Sequence, residues 1–312
     1  MDYPSGWYLF CSEHELTSGP VASNLLNKEL VGFLTDSGTA AVIGGRCVHM
    51  GADLGGGRVV AESVECPLHH WRFGTDGRCN HIPSSSEVPE FAHQTTYPVT
   101  LRHGNLYFFN GPRALYPLPF FEGISPDELI AAPSFMEVLE CPWYMVGANA
   151  VDVQHFAIAH DRRMLSPPKV SHPLPYVHQA VCQFQIEGNS YADRITRLFG
   201  GTEARLQVTD WSSTMILAHS KLKKTETFGM LSMTPLTRER TMVHVTVMAR
   251  RGSSEIRRLA DPVRARVRRM LIRRFLRSDV GRLSRTSYSP NTLIEIDRQF
   301  AGYFDWLATV PR

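Results

Sequence analysis

The sequence predicts an α+β protein in two parts, a small all-β domain followed by an antiparallel sheet with helices. Three observations lead there: short β-branched and aromatic runs between turn residues, later runs with a period of two, and a helical period near the C-terminus. Up to residue 111, "ELVGFL", "TAAVIG", "RVVAESVEC" and "NLYFFN" read as strands, with Gly, Asp-Ser or Asp-Gly between them. Residues 112–136 hold five prolines and read as a connecting segment with little regular structure. Residues 137–312 form the second domain. There "CQFQIE" sets Cys182, Phe184 and Ile186 against Gln183, Gln185 and Glu187, and "TMVHVTVMAR" sets Val243, Val245 and Val247 against Met242, His244, Thr246 and Met248. Both runs have the two faces of an antiparallel strand. From Asp261 to Leu283 the apolar residues Val263, Val267, Met270 and Leu271 recur at helical steps, which predicts a long helix.

With 312 residues the chain is long enough for two sizeable cores. A net charge of +3 gives no reason to expect a nucleic-acid partner. No apolar run approaches the ~20 residues of a membrane span, and "MDYPSGWYLF" lacks the basic and apolar regions of a signal peptide. The expected location is cytoplasmic. Six cysteines in such a chain do not make a disulfide framework. Cys11, Cys79, Cys141 and Cys182 read as small buried hydrophobes.

The other two cysteines each have a histidine beside them. Cys47-x-His49 lies in "GGRCVHMGADLGGG", and Cys66-x-x-His69 in "ECPLHHWRFGTDGRC". A structural zinc site would accept this ligand set. Zinc fingers, however, usually draw their cysteines from one loop and their histidines from another, whereas here each loop supplies one of each. That pattern suits a [2Fe-2S] cluster with the cysteine pair on one iron and the histidine pair on the other. Glycines around the first loop permit a tight backbone whose amides approach the sulfurs.

These loops, with Ile82-Pro83 after the second, resemble the Rieske motif of ring-hydroxylating oxygenases. Rieske proteins of respiratory complexes carry an extra cysteine in each loop. Ala52 and Leu68 stand at those positions here, so the disulfide cannot form and the resemblance is to the oxygenase or ferredoxin branch. His70 stands where that family usually has glycine; His69 keeps the family spacing, so His70 is expected beside the ligands and not among them.

The second constellation is "NAVDVQHFAIAHD", with Asn149, Asp152, His155 and His160. Two histidines and a carboxylate form the facial triad of non-haem Fe(II) enzymes. His155 and His160 would diverge by roughly 140° on a regular helix, so a shared metal calls for a π-bulge or a helix end between them. The stretch resembles the mononuclear-iron motif of the same oxygenases position by position. In that family the aspartate bridges to a cluster histidine of a neighbouring subunit, which assigns Asp152, with Asn149, to the catalytic machinery and not to the iron. The third iron ligand is then sought among Asp261, Asp279, Glu295, Asp297 and Asp305. Asp279 lies at about the family distance; Asp297 and Glu295 come next.

The resemblance implies a terminal oxygenase with one [2Fe-2S] cluster and one mononuclear Fe(II) per chain, and a helix-grip catalytic domain over a hydrophobic pocket. It further implies O₂ and a small hydrophobic, polycyclic or steroid-like substrate. Electrons would come from an NAD(P)H-dependent reductase, with or without a ferredoxin, and the assembly would be a head-to-tail homotrimer. No nicotinamide or flavin fingerprint occurs in the chain itself. Two other readings stay open: a Rieske ferredoxin-like electron carrier with a non-catalytic docking domain, and a zinc-stabilised binding protein. Eleven arginines between Arg257 and Arg285 form either a docking face for an acidic redox partner or the solvated side of a helix. Met215, Met230, Met233, Met242 and Met248 read as core filler or pocket lining.

Overall fold

The computed structural model describes residues 3–312, apart from the Phe199 side chain. The chain folds as two compact units, residues 3–118 and 119–312. In the first, β1 (Trp7–Ser12) is followed by the single-turn α1 (Glu13–Leu16), β2 (Val21–Leu25), β3 (Lys28–Leu34) and β4 (Ala40–Gly44). Then come β5 (Arg58–Val60), β6 (Ser63–Glu65), β7 (Arg72–Gly74), β8 (Cys79–His81), β9 (Thr96–Tyr97), β10 (Val99–Arg102) and β11 (Asn105–Phe109). The sheet orders are β1-β11-β10, β2-β3-β4-β9 and β5-β6-β7-β8.

Residues of β3 and β4 alternate between two cores. Val31, Phe33, Ala41 and Ile43 join the core that holds Cys47, Cys66, Trp71 and Phe73, whereas Leu30 and Val42 join Tyr8, Phe10 and Phe108. A strand sends successive side chains to opposite faces, so the continuous apolar runs in the sequence mark ladders covered on both sides. The run 58–66 reads as one strand but folds as the hairpin β5–β6. Ala61 turns the chain with φ 51°, and no glycine announces the turn.

The second unit contains β12 (Leu129–Ala131), β13 (Phe135–Leu139), α2 (Trp143–Asn149), α3 (Val153–His160), β14 (Arg162–Met164), β15 (Lys169–Leu174), β16 (Val177–Ile186) and α4 (Tyr191–Gly200). It continues with β17 (Glu203–Trp211), β18 (Met215–Leu222), β19 (Glu226–Thr237), β20 (Arg240–Arg250), α5 (Glu255–Arg258), α6 (Asp261–Arg282) and α7 (Arg298–Thr309). The strands make one antiparallel sheet, β12-β20-β19-β18-β17-β16-β14, with β13 also on β20 and β15 also on β16. Helix α6 lies against β20, β12 and β13.

The end of segment 112–136 is more regular than its prolines suggest. Residues 129–131 pair with Met248–Arg250 as an edge strand, and β13 begins at Phe135. Leu129 is buried, and Pro133, which has no N–H for a ladder, separates the two short strands. In α6 the apolar residues at helical spacing do not form a buried stripe. Val263, Val267 and Met270 stay exposed, because the helix borders an open cavity with Val263 and Val267 in its lining. Among the described residues no helix is long and apolar enough to cross a membrane.

A buried polar network ties α7 to the sheet. Tyr303 Oη donates to Asp210 Oδ2 at 2.7 Å and lies 2.7 Å from Ser213 Oγ, while Ser213 N donates to Asp210 Oδ1 at 2.8 Å. Gly147 of α2 sits so close that a Cβ there would overlap Tyr303 Oη. Burial pushes the Asp210 carboxyl up to about 7, although Tyr303 and the Ser213 amide pull it down.

Candidate metal centres and cavity

In the first unit, Cys47 and His49 occupy the loop after β4, and Cys66 and His69 occupy the loop between β6 and β7. The loops share one backbone pattern. Cys47 N donates to Ala52 O and Gly51 N to Cys47 O; Cys66 N donates to Trp71 O and His70 N to Cys66 O. Gly51 (φ 75°) and His70 (φ 59°) thus hold equivalent left-handed positions. A side chain in that region costs roughly 1–2 kcal/mol, which explains why glycine suits the site. His70 is held there by Nδ1 at 2.9 Å from Glu65 Oε1. Glu65 is 2% exposed and also binds Arg58 and Arg72. The His70 contact first, then the two arginines, hold its carboxyl down at about 2 against burial.

The four side chains segregate by type. Cys47 and Cys66 are buried, and Cys66 lies against the Cys47 thiol. His49 and His69 are exposed with ring centroids 4.8 Å apart, and His49 stacks on Trp71 at 4.3 Å. Burial pushes the Cys47 thiol up to about 11, partly offset by N–H groups of His49 and Met50. A free thiol so placed is inert, whereas a metal displaces its proton and takes those amides as partners of the bound sulfur. Two sulfurs inside and two imidazoles outside fit a two-iron cluster better than one tetrahedral ion.

In the second unit, α2 ends at Asn149 and Asp152 starts α3, its carboxylate accepting from His155 N at 3.0 Å. Asn149, Asp152 and His155 therefore do not share one helix face. Helix α3 neither widens nor stops between the histidines. It ends at His160, where Asp161 turns left-handed with φ 52°. Even so, His155 Nε2 and His160 Nε2 come within 3.0 Å, and Asp279 Oδ1 from α6 lies 3.1 and 3.0 Å from them. An octahedral ion with bonds of about 2.1 Å places neighbouring donors about 3.0 Å apart, against about 3.4 Å for a tetrahedral one. The triangle has the edge lengths of one octahedral face. Burial raises the Asp279 carboxyl, but both histidines hold it below its usual range, which favours the ionised form.

Supporting groups surround the triangle. The His160 ring stacks on Phe275 at 3.6 Å, with Ser278 Oγ 3.5 Å from its Nδ1. Asn149 Nδ2 is 3.3 Å from His155 Nε2. Of the other candidate acids, three are engaged elsewhere, Asp261 with Gly252 N and Arg264, Asp297 with Gln154, and Glu295 with Arg298, and the fourth, Asp305, is exposed on α7 outside the triangle. Sequence reasoning missed Phe275 and Ser278, although both lie on α6 within one turn of Asp279.

The triad opens on a cavity of about 700 Å³ between α6 and the sheet. Its walls are mainly apolar, with Phe184, Leu206, Ile216, Leu231, Val243 and Phe275 among them. Arg162 of the wall donates to His160 O and pairs with buried Asp193 at 2.6 Å. Met215, Met230, Met233 and Met248 are buried but do not line it, so they are core filler.

Comparison with known proteins bears on both units. The family described as "Rieske [2Fe-2S] domain" matches residues 6–92. Cholesterol 7-desaturase of Xenopus laevis is 33% identical over 170 residues, 53% of this chain and 37% of that protein. The oxygenase component of chloroacetanilide N-alkylformylase from Rhizorhabdus wittichii is 31% identical over 52% of this chain and 48% of its own. The oxygenase component of 3-ketosteroid-9-alpha-monooxygenase from Rhodococcus rhodochrous is 28% identical over 51% and 43%. The chain thus spans less than half the length of these curated relatives. Among solved structures, NdmA of Pseudomonas putida CBB5 with caffeine superposes with a TM-score of 0.71, covering 97% of this chain and 89% of that one at 18% identity. Dicamba monooxygenase gives 0.66, covering 97% and 96% at 16% identity. The chain thus carries a Rieske [2Fe-2S] domain over residues 6–92, shares its α+β fold with these structures, and over about half its length is similar to proteins named oxygenase components.

Proposed function

We propose that the chain is the terminal oxygenase component of a Rieske non-haem iron system. It takes electrons from an NAD(P)H-dependent reductase, directly or through a ferredoxin, and uses O₂ to hydroxylate or otherwise oxidise a hydrophobic organic molecule. The observation that carries this reading is the octahedral-face triangle of His155, His160 and Asp279 at the wall of an apolar cavity. When bound, a ferrous ion with open positions supplies O₂ activation, and the cluster on Cys47, His49, Cys66 and His69 supplies single electrons.

The chain's own residues prepare the site. Phe275 fixes the plane of the His160 ring, and the His155 ring is bordered by Asn149. The Arg162–Asp193 pair closes the wall behind His160, and mainly apolar side chains line the cavity beside it. A cholesterol desaturase and a ketosteroid monooxygenase among the relatives support a substrate of polycyclic or steroid-like shape. The cytoplasmic protein would work as a head-to-tail trimer in which each cluster serves the mononuclear iron of the next chain, with Asp152 between them.

Metal analysis tests the reading. The oxygenase should hold about three irons per chain with the sulfide of one [2Fe-2S] cluster, an electron carrier about two, and a zinc protein none. His155→Ala, His160→Ala and Asp279→Ala should each keep the cluster spectrum, lose the third iron and abolish oxygenation. Asp297→Ala should keep all three. Loss of the third iron in Asp297→Ala but not in Asp279→Ala would reverse the ligand assignment.

A further inference from the structure

Helix α6 carries Asp279 near its C-terminal end and borders the cavity for most of its length. Phe275, Ile272 and Leu271 lead away from the metal triad as apolar wall. Eleven residues before Asp279, at roughly 1.5 Å per residue about 16 Å away, stands Arg268. The chemistry changes there. Ser220 of β18 and Thr227 of β19 are Cα partners in the ladder, and both line the cavity with Thr225 and Arg268.

Arg268 is held in place but left without a counter-charge. Its Nε donates to Glu226 O at 3.0 Å, while the Glu226 carboxylate is turned to Arg250 and Lys221. Arg264 pairs with Asp261 and Arg273 with Glu137, yet Arg268 pairs with no carboxylate among the described residues. Nor do its two terminal amino groups, or the hydroxyls of Ser220, Thr225 and Thr227, have a hydrogen-bond partner in the protein among those residues. Burial, then the charge of Arg264, lowers the Arg268 pKa, the sign of a cation held partly out of water. A desolvated guanidinium with free donors is costly unless something completes it.

We propose that Arg268, with Ser220, Thr225 and Thr227, binds a carboxylate at the end of an elongated apolar substrate whose other end reaches the metal triad. Arginine presents two parallel N–H groups that match a carboxylate, and the hydroxyls can donate to the same oxygens. The apolar stretch between the polar ends accepts a hydrocarbon body, and 700 Å³ lies within the ordinary size of a small-molecule site. This inference rests on the cavity being the substrate site, and it names the class of molecule that site takes.

The test is binding without turnover, on the full chain with its metals in place. Calorimetry would compare 5β-cholanic acid, dehydroabietic acid and 12-phenyldodecanoic acid with their methyl esters. At least one acid should bind about tenfold or more tighter than its ester. Arg268→Met should bring the two within about twofold, Arg268→Lys should keep part of the preference, and Thr227→Val should weaken the acid severalfold. Unchanged circular dichroism and iron content would certify each variant as folded. Equal binding of acid and ester by the unaltered protein, persistence of the preference in Arg268→Met, or no binding of any acid would overturn the proposal. A chain with only the two cluster irons that still prefers the acids would instead refute the oxygenase reading and leave the carboxylate site standing.

Discussion

Asp152 accepts the backbone N–H of His155 at 3.0 Å and is thereby the N-cap of the helix that presents both histidines of the candidate metal triad. One carboxylate oxygen is committed to the cap; the charge remains for any further partner. Asp and Asn cap equally well, so Asp152→Asn separates the two roles. That variant should keep its fold and both metals but sharply slow electron transfer from cluster to iron, read by stopped-flow oxidation of the reduced cluster. Asp152→Ala should also lose about 1 kcal/mol of stability. Equal electron-transfer rates in Asp152→Asn and the unaltered protein would leave the carboxylate only its capping role.

His70 offers a test of the cluster ligands. It occupies the left-handed position that glycine holds in the sister loop, and its ring binds Glu65 and not the sulfur pair. His70→Gly relieves a backbone cost of roughly 1–2 kcal/mol and gives up one half-exposed hydrogen bond. The brown colour should persist with stability changed by no more than about 1 kcal/mol. His69→Ala should bleach the protein. The reverse pattern in absorption near the visible cluster bands would make His70 the ligand.

Asp210 makes the second unit sensitive to pH. Its folded-state pKa is raised to about 7, above the ~3.9 of an unfolded aspartate. Between those values the folded chain keeps a proton the unfolded chain has released, so this group's stabilising effect is complete below about pH 4 and is lost as pH rises to about 7. Asp210→Asn resembles the protonated acid, accepting from Ser213 N and donating to Tyr303 Oη. Its melting temperature should match the unaltered protein near pH 4.5 and exceed it near pH 8, with an upper bound of about 4 kcal/mol. A gap that is flat with pH would contradict the raised pKa.

The trimer proposal predicts complementation between dead chains. Cys66→Ala lacks the cluster and His155→Ala lacks the mononuclear iron, so neither should turn over alone. Co-assembled trimers should recover partial activity where an intact cluster faces an intact iron across an interface. Mixed trimers verified by native mass spectrometry but inactive would mean that electrons remain within each chain.

The sequence revealed what depends on residue type at fixed spacing. The Cys47-x-His49 and Cys66-x-x-His69 pairs are legible because each loop is short and its candidate ligands are local in sequence. His155 and His160 could be named, but their convergence could not be derived, since it depends on the helix starting at Asp152 and stopping at His160. Asp279 was one of five acids until the fold placed α6 across the sheet and sent Asp261, Asp297 and Glu295 to other partners. The hairpin at Ala61 and the strand at Leu129 carry weak local signals and form because β6 and β20 offer ladder edges. Arg268 was hidden among eleven arginines, and only its half-buried place in the cavity wall, without a carboxylate partner among the described residues, singles it out.

The triad has a mechanical side as well. Two of its donors lie early in the second unit and the third near the end of α6, so an ion gripping all three fastens most of that unit's chain into a closed loop. Like a cross-link, it acts by restricting the opened chain, and its contribution grows with occupancy. Without metal, α3 keeps its cap and its contacts with Phe275 and Ser278 but loses one fastening to α6, and the edge strand Arg162–Met164 just beyond it is the place to look for loosening. Resistance to trypsin there would then rise with added ferrous iron, making the protein's durability a gauge of how well the cell supplies it.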